Sequence, residues 1–317
     1  MSENENWSAN VIGGISNPRV LLANGFQLIG NNSFENSLSP WTPQAATLSR
    51  PNDLTAPHGN YVLKVEDTNF IAWGYAQFIL NFAESDFISG TCSGKKFLLS
   101  FYAKEGNPDI SGHNVTCMIA DGNLTNTAQE TFQVTDLGWK KVSILLECDV
   151  GNLSSSLVIF LSGTEEAFEE GSCLFDFVEL NEIDRDYVMQ IPTRFNQRFI
   201  RETNYRRKTW DGGIKESIKG WRYTAQLDYD FMAPNELQSW VAISEASFII
   251  FYPHQDHVFS IKASMPQDFD YTYFRDKYVG HEFSARLEGL ELVTGKPTQV
   301  GDGTESVIIT GSEYIFE

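Results

Sequence analysis

Positive charge is scarce in this 317-residue chain, with 23 Lys and Arg against 42 Asp and Glu and a formal charge of −19. Nucleic-acid backbones and anionic membranes are polyanions that require clustered Lys and Arg, so neither is expected as a partner. A neutral ligand such as a sugar stays open. No apolar run reaches the roughly 20 residues that cross a bilayer as a helix, and no membrane insertion is expected. The first residues, MSENENWSAN, have neither the basic segment nor the apolar core of a signal peptide, so the expectation is a chain made in a cytoplasm. Only four cysteines occur, Cys92, Cys117, Cys148 and Cys173. They fit neither a C-x-x-C metal knuckle nor a dense disulfide scaffold. Each sits in or beside an apolar strand pattern, which reads as a buried free thiol. Without a G-x-S-x-G, H-E-x-x-H or P-loop motif, no enzymatic activity is expected.

What is abundant is aromatic. Aromatic residues make up 13% of the chain, 23 of them Phe, a composition that favours β-structure over a Leu- and Ala-rich helical bundle. Period-2 patterns recur between Gly, Asn and Pro punctuation: NYVLKVED, AWGYAQFILNF, KKFLLSFYAK, HNVTCMIA, WKKVSILLECDV, SSLVIFLSG and CLFDFVELNEI. Seven or eight such strands make a β-sandwich of jelly-roll size. Charge divides the chain as well: residues 1–184 hold 8 Lys and Arg against 23 Asp and Glu, and the remainder 15 against 19. The expected organisation is a polar leader over 1–25, a jelly roll over 26–184, a basic connector or arm over 185–222 and a second β-rich domain over 223–317. The fold class is mainly all-β, with one short helix at APNELQSWVAISE, where Pro234 and Glu236 suit a helix start.

The ordered set LIGNNSFENSLSPWT, APHGNYVLKVED, AWGYAQFIL, GKKFLLSFYAKEG, LGWKKVSILLEC and LFDFVELNEI resembles the family 4, 9 and 22 group of carbohydrate-binding modules, galactose-binding-like jelly rolls, over residues 26–183. The resemblance implies a structural calcium held by Glu35 and Asp176, oxygen ligands that a hard cation prefers. The chain departs from the family at Phe177, where many relatives carry a second Asp beside the first. The alternative is a turn whose Asn and Ser side chains bind the backbone, with Trp41 in the core.

Sugar binding needs aromatic faces for pyranose C–H surfaces and polar groups for hydroxyls. Alternation in FIAWGYAQFIL puts Ala76, Phe78 and Leu80 on one face and Trp73, Tyr75 and Gln77 on the other. The second face is the candidate platform. In FLLSFYAK the same alternation places Tyr102 and Lys104 opposite Leu99, Phe101 and Ala103, so they are expected to join the groove. Alternatively these aromatics pack on loops or on the second domain.

Other polar groups read as less specific. Glu165, Glu166, Glu169 and Glu170 lie between two strands, as a solvated turn would. Asp228 and Asp230 share a strand face without a partner for glycoside hydrolysis. His254 and His257 point opposite ways on a strand, which disfavours zinc with Asp256. The C-terminal domain is similar in layout to β domains of tailed-phage tail components, such as distal tail and tube-like proteins. That similarity implies a virion protein, made in the host cytoplasm, contacting other virion proteins through its C-terminal domain and assembling as a homo-oligomer. The expected function is non-enzymatic glycan attachment. The alternatives are an extracellular carbohydrate-binding accessory of a polysaccharide-processing system and a purely structural decoration protein.

Overall fold

In a computed structural model the described residues are 7–8, 17–23, 27–67, 72–85, 88–107, 112–135, 138–165, 171–208, 214–232, 234–246, 248–252, 261–265, 270–274, 280–293, 298–300 and 308–310. Among them the chain is all-β apart from the helix Pro234–Glu245 and the 3-10 turn Phe82–Glu84. It forms two compact units, residues 24–184 and residues 1–23 with 185–317.

The first unit is a two-sheet sandwich. One sheet orders its strands Thr42–Gln44, Tyr75–Asn81, Ser156–Ser162, His113–Asp121 and Thr127–Val134. The other orders Thr47–Ser49, Leu63–Asp67, residues 171–184, Lys96–Glu105 and Lys140–Glu147. The strand pairings within both sheets are antiparallel, which short Gly- and Asn-rich connections allow. Alternating residues fill the space between the sheets: Ala76 and Phe78 from one strand, Leu157, Ile159 and Leu161 from its neighbour, and Phe97, Leu99, Phe101 and Ala103 from the facing sheet. Trp41 is buried here between Phe34 and Phe78, with ring centroids 6.1 and 5.3 Å away.

The first segment lies along the last strand. Leu28 N–H donates to Leu180 O (2.9 Å), Val178 N–H to Asn32 O (2.8 Å) and Leu180 N–H to Gln27 Oε1 (2.7 Å). That strand carries a β-bulge between Asp176 and Glu179, with Phe177 at φ 48°, which re-aims the two side chains at its start.

The second unit draws on both ends of the chain. Residues 19–23, read as part of a polar leader, form a strand whose Ile249–Tyr252 neighbour buries Val20 and Leu22 in the unit's core. Its Arg19 makes a two-pronged ion pair with Asp186. Three consecutive apolar residues, Val20 to Leu22, are too short a run to signal a strand amid polar sequence. The basic stretch, expected as a connector or arm, is largely strand. Arg194–Lys208 pairs with Ile214–Met232 as a long antiparallel hairpin. Tyr223, Leu227 and Tyr229 pack against Phe251, Phe283 and Trp240 of the helix, with the Trp240 and Phe283 rings 5.4 Å apart. Residues 308–310 pair with 298–300.

Candidate functional site

The outward face of the first unit's five-stranded sheet is unusually apolar. Strand register sets Thr42, Gln77, Phe160, Met118 and Gln129 side by side across all five strands. A second row holds Gln44, Tyr75 and Ser162, and a third Ile79, Val158, Ala120 and Thr127. Ala120, Val158 and Phe160 are buried, while Trp73, Tyr75 and Met118 pack on them half-buried. The Trp73 and Tyr75 centroids are 5.3 Å apart, and Tyr75 meets Phe160 edge-on at 4.9 Å. Gln44 Nε2 donates to Gln77 Oε1 at 3.3 Å. The result is a ring-bearing platform edged by side-chain amides and hydroxyls.

Trp73 is held by a polar cradle. Its Nε1–H donates to Thr164 O (3.4 Å), and Ser162 Oγ–H reaches Thr164 O (2.8 Å) and Gly74 O (3.0 Å). Buried Asp67 accepts from Gly74 N–H (2.7 Å) and Thr164 Oγ1–H (3.2 Å). A Cβ at Gly74 would stand 2.6 Å from the Asp67 carboxyl carbon, so only glycine lets the backbone come this close. His113 braces the same turn, bridging Gly163 O (Nε2, 2.7 Å) and Glu105 (Nδ1, 2.5 Å).

The predicted residues do not all meet. Trp73, Tyr75 and Gln77 share this face, whereas Tyr102 and Lys104 belong to the opposite sheet and cannot join the groove. Period-2 alternation identifies the face of a strand but not the sheet that holds it. Lys104 is engaged elsewhere: its Nζ lies 3.3 Å from Asp53 Oδ2 and 3.1 Å from Thr55 Oγ1, beneath the Trp139 ring at 5.8 Å. Tyr102 carries Lys141 over its ring at 5.7 Å. The sequence reading also missed Phe160, Met118, Gln129, Thr42 and Gln44. In SLVIFLS both faces are apolar, so alternation is silent there. For Gln129 the signal existed in TAQETFQV, where polar residues recur at every second position.

Glu35 and Asp176 grip one loop from its backbone. Glu35 Oε1 accepts from Asn60 N–H (2.8 Å) and Tyr61 N–H (2.7 Å), bonds that hold its carboxyl below the usual range. Asp176 Oδ2 accepts from His58 N–H (2.7 Å), and its Oδ1 from Phe177 N–H (2.7 Å). Burial pushes Asp176 up to about 7 despite those two bonds, with the Glu35 and Asp53 charges adding to the rise. Gly59 between them sits at φ +77°, and a Cβ there would strike Glu35 Oε1 at 2.3 Å. Phe177 stacks on His58 at 4.4 Å. Among the described residues no cluster of three or more His, Cys, Asp or Glu could hold a metal. The two carboxylates are oxygen donors of the kind a hard cation takes, and the Glu35 charge contributes to the rise at Asp176 that such a cation would offset. Asn31 meanwhile bonds the backbone of its own turn, Nδ2 donating to Ser37 O (2.7 Å) and Ser39 O (2.8 Å).

Among the described acidic candidates, Asp228 is engaged within its own sheet. Asp228 Oδ1 accepts from Gln226 Nε2 (3.0 Å) and Ser284 Oγ (2.6 Å). Glu166, Glu169, Glu170, His254, Asp256 and His257 lie outside the described residues.

No family model matches the chain, and no curated protein matches it in sequence. Several solved structures are similar. The CBM22-1 xylan-binding domain of Paenibacillus barcinonensis Xyn10C is 20% identical, covering 49% of this chain and 93% of its own, with a TM-score of 0.38. TmCBM61 in complex with β-1,4-galactotriose is 14% identical over 49% of this chain and 97% of its own, with a TM-score of 0.34. A Stig cyclase, Fisc from Fischerella sp. TAU, is 14% identical over 49% and 96%, with a TM-score of 0.38. At such values these likenesses carry no weight for ligand or reaction, and the sandwich stands on its own strand pairing.

Proposed function

We propose that the first unit binds a neutral glycan on the outward face of its five-stranded sheet, without catalysis. The observation that carries this reading is the pair of half-buried rings Trp73 and Tyr75, packed on buried Phe160 beside Gln44, Gln77 and Gln129. Rings take the C–H face of a pyranose, and amides, which both donate and accept, suit hydroxyls. Such binding does not depend on charge. A glycan array probed with the full chain is therefore expected to show the same neutral oligosaccharides bound at low salt and at about 0.5 M salt, where charge pairs are screened. Binding confined to anionic glycans and lost in salt would overturn the reading.

Within it, the second unit anchors the protein to a phage particle, and repetition on that particle raises a modest affinity by avidity. Support for this part is the layout of residues 223–317, similar to tail components.

Calcium bound through Glu35 and Asp176 would tie the loop at 58–61 to the last strand. The proton balance gives a test. Asp176 is raised to about 7 in the fold from 3.8, so without a cation the native state keeps its proton longer than the unfolded chain does. That contribution to stability is full below the unfolded value and is lost as pH rises towards 7. The whole shift corresponds to about 4 kcal/mol, which solvent screening reduces to roughly 1–3 kcal/mol. In chelator, stability should fall between pH 4 and 7, and calcium should remove the slope. Identical melting curves with chelator and with calcium across this range would exclude the ion.

A further inference from the structure

Two of the four buried thiols belong to one fold-back. Cys92 opens a tight turn in which Lys95 N–H donates to Cys92 O (2.9 Å) and Gly94 takes φ +67°. The turn lies against the end of the Lys140–Glu147 strand, with Cys148 N–H donating to Lys95 O (2.9 Å) and Gly94 N–H to Asp149 O (3.1 Å). Lys95 thus bonds the backbone of both cysteines, a fold-back that sets Cys92 and Cys148 close together, with Cys92 Sγ 3.6 Å from Ser156 O. Cys92 is the one buried residue in the exposed or half-buried stretch 89–94, so a small opening of the turn uncovers it. All four thiols are buried, but Cys117 and Cys173 lie within strands, whereas Cys92 and Cys148 lie beyond the strand ends.

We propose that Cys92 and Cys148 are a disulfide site, closed by a small-molecule disulfide such as oxidised glutathione, which staples the turn to the end of the neighbouring strand. Their mutual interaction holds the Cys92 thiol below its usual range and the Cys148 thiol above it. Cys92 is therefore the attacking thiolate and Cys148 the resolving thiol. The Cys92 sulfur attacks one sulfur of the oxidant, its S–S bond breaks, and one thiol leaves. Cys148 then displaces the second thiol from the mixed disulfide. The two protein thiols are oxidised, one oxidant disulfide is reduced to two thiols, and both protons end on the released thiols. In the core, burial keeps Cys117 and Cys173 protonated, so they stay out of the exchange.

The test uses the full chain, reduced and then equilibrated with oxidised glutathione under native conditions. The intact mass should fall by about 2 Da, the two hydrogens lost on forming an internal disulfide. Thiols titrated after denaturation should drop from four to two, and peptide mapping should join Cys92 to Cys148. The melting temperature should rise by roughly 5–10 °C, the size expected for a strain-free bridge closing a long loop. Cys92→Ser and Cys148→Ser should each form no internal bridge. Four surviving thiols, a lasting glutathione adduct, or a link through Cys117 or Cys173 would overturn the proposal. Mapping of the unmutated chain decides the matter even if a variant fails to fold.

Discussion

Trp73→Ala should lose about ten- to a hundredfold in glycan affinity, the 1–3 kcal/mol of a central stacking ring. The same substitution should cost the fold roughly 1–2 kcal/mol, because Trp73 packs half-buried on Phe160 and Val158, outside the main core, where a Trp→Ala change costs about 3–5 kcal/mol. Isothermal titration with a glycan that binds the unmutated chain, beside a thermal melt, reads both quantities. Tyr102→Ala and Lys104→Ala are the controls. Both lie in the other sheet, so glycan affinity should be unchanged, while Lys104→Ala also leaves Asp53 without its cation. If Tyr102→Ala weakens binding and Trp73→Ala does not, the platform is on the wrong sheet.

The contrast between these residues shows where sequence reasoning was informative. In AWGYAQFILNF only one face is uniformly apolar, so alternation separates Ala76 and Phe78 from Tyr75 and Gln77. The same logic correctly separates Phe101 from Tyr102. It cannot say which strands become neighbours, because pairing is a long-range property that no local pattern encodes. Hence Tyr102 and Tyr75, both outward on their own strands, face away from each other across the sandwich. Phe160 was hidden for a different reason: its strand is apolar on both faces, one turned to the core and one to the ring cluster. The Val20–Leu22 strand was hidden because its partner at Ile249–Tyr252 is more than 200 residues later in the chain. The all-β class and the helix at Pro234–Glu245 were legible, since aromatic-rich alternation and a Pro–Asn–Glu start are local signals.

Asp121→Ala should destabilise the first unit by roughly 2–4 kcal/mol, because it strands several donors around a buried site, some of which water can reach. Both carboxylate oxygens are committed. Oδ1 accepts from Asn123 N–H (2.7 Å) and Thr125 N–H (3.3 Å), while Oδ2 accepts from Asn126 N–H (2.5 Å) and Asn152 Nδ2–H (3.0 Å). With no partner left, the turn at 121–126 loses its organising acceptor, and its link to the loop at 149–154 weakens. Asn126 carries that link too, its Nδ2 donating to Asp149 Oδ2 at 2.8 Å. Asp121→Asn should recover little of the loss, since an amide turns one oxygen into a donor facing two other donors. The pH dependence has the opposite sign to that of Asp176. Burial alone would raise the Asp121 carboxyl, but its four hydrogen bonds outweigh burial and hold it below the usual range. Its contribution is therefore present above the unfolded value near 3.8 and is lost as pH falls through the lower folded value. Chemical denaturation at pH 7 and at about pH 3 should show the Asp121→Ala penalty shrinking in acid, because below 3.8 the unfolded chain takes up a proton that the native carboxylate resists. A penalty equal at both pH values would mean that the loss comes from the packing of the turn and not from the charged acceptor.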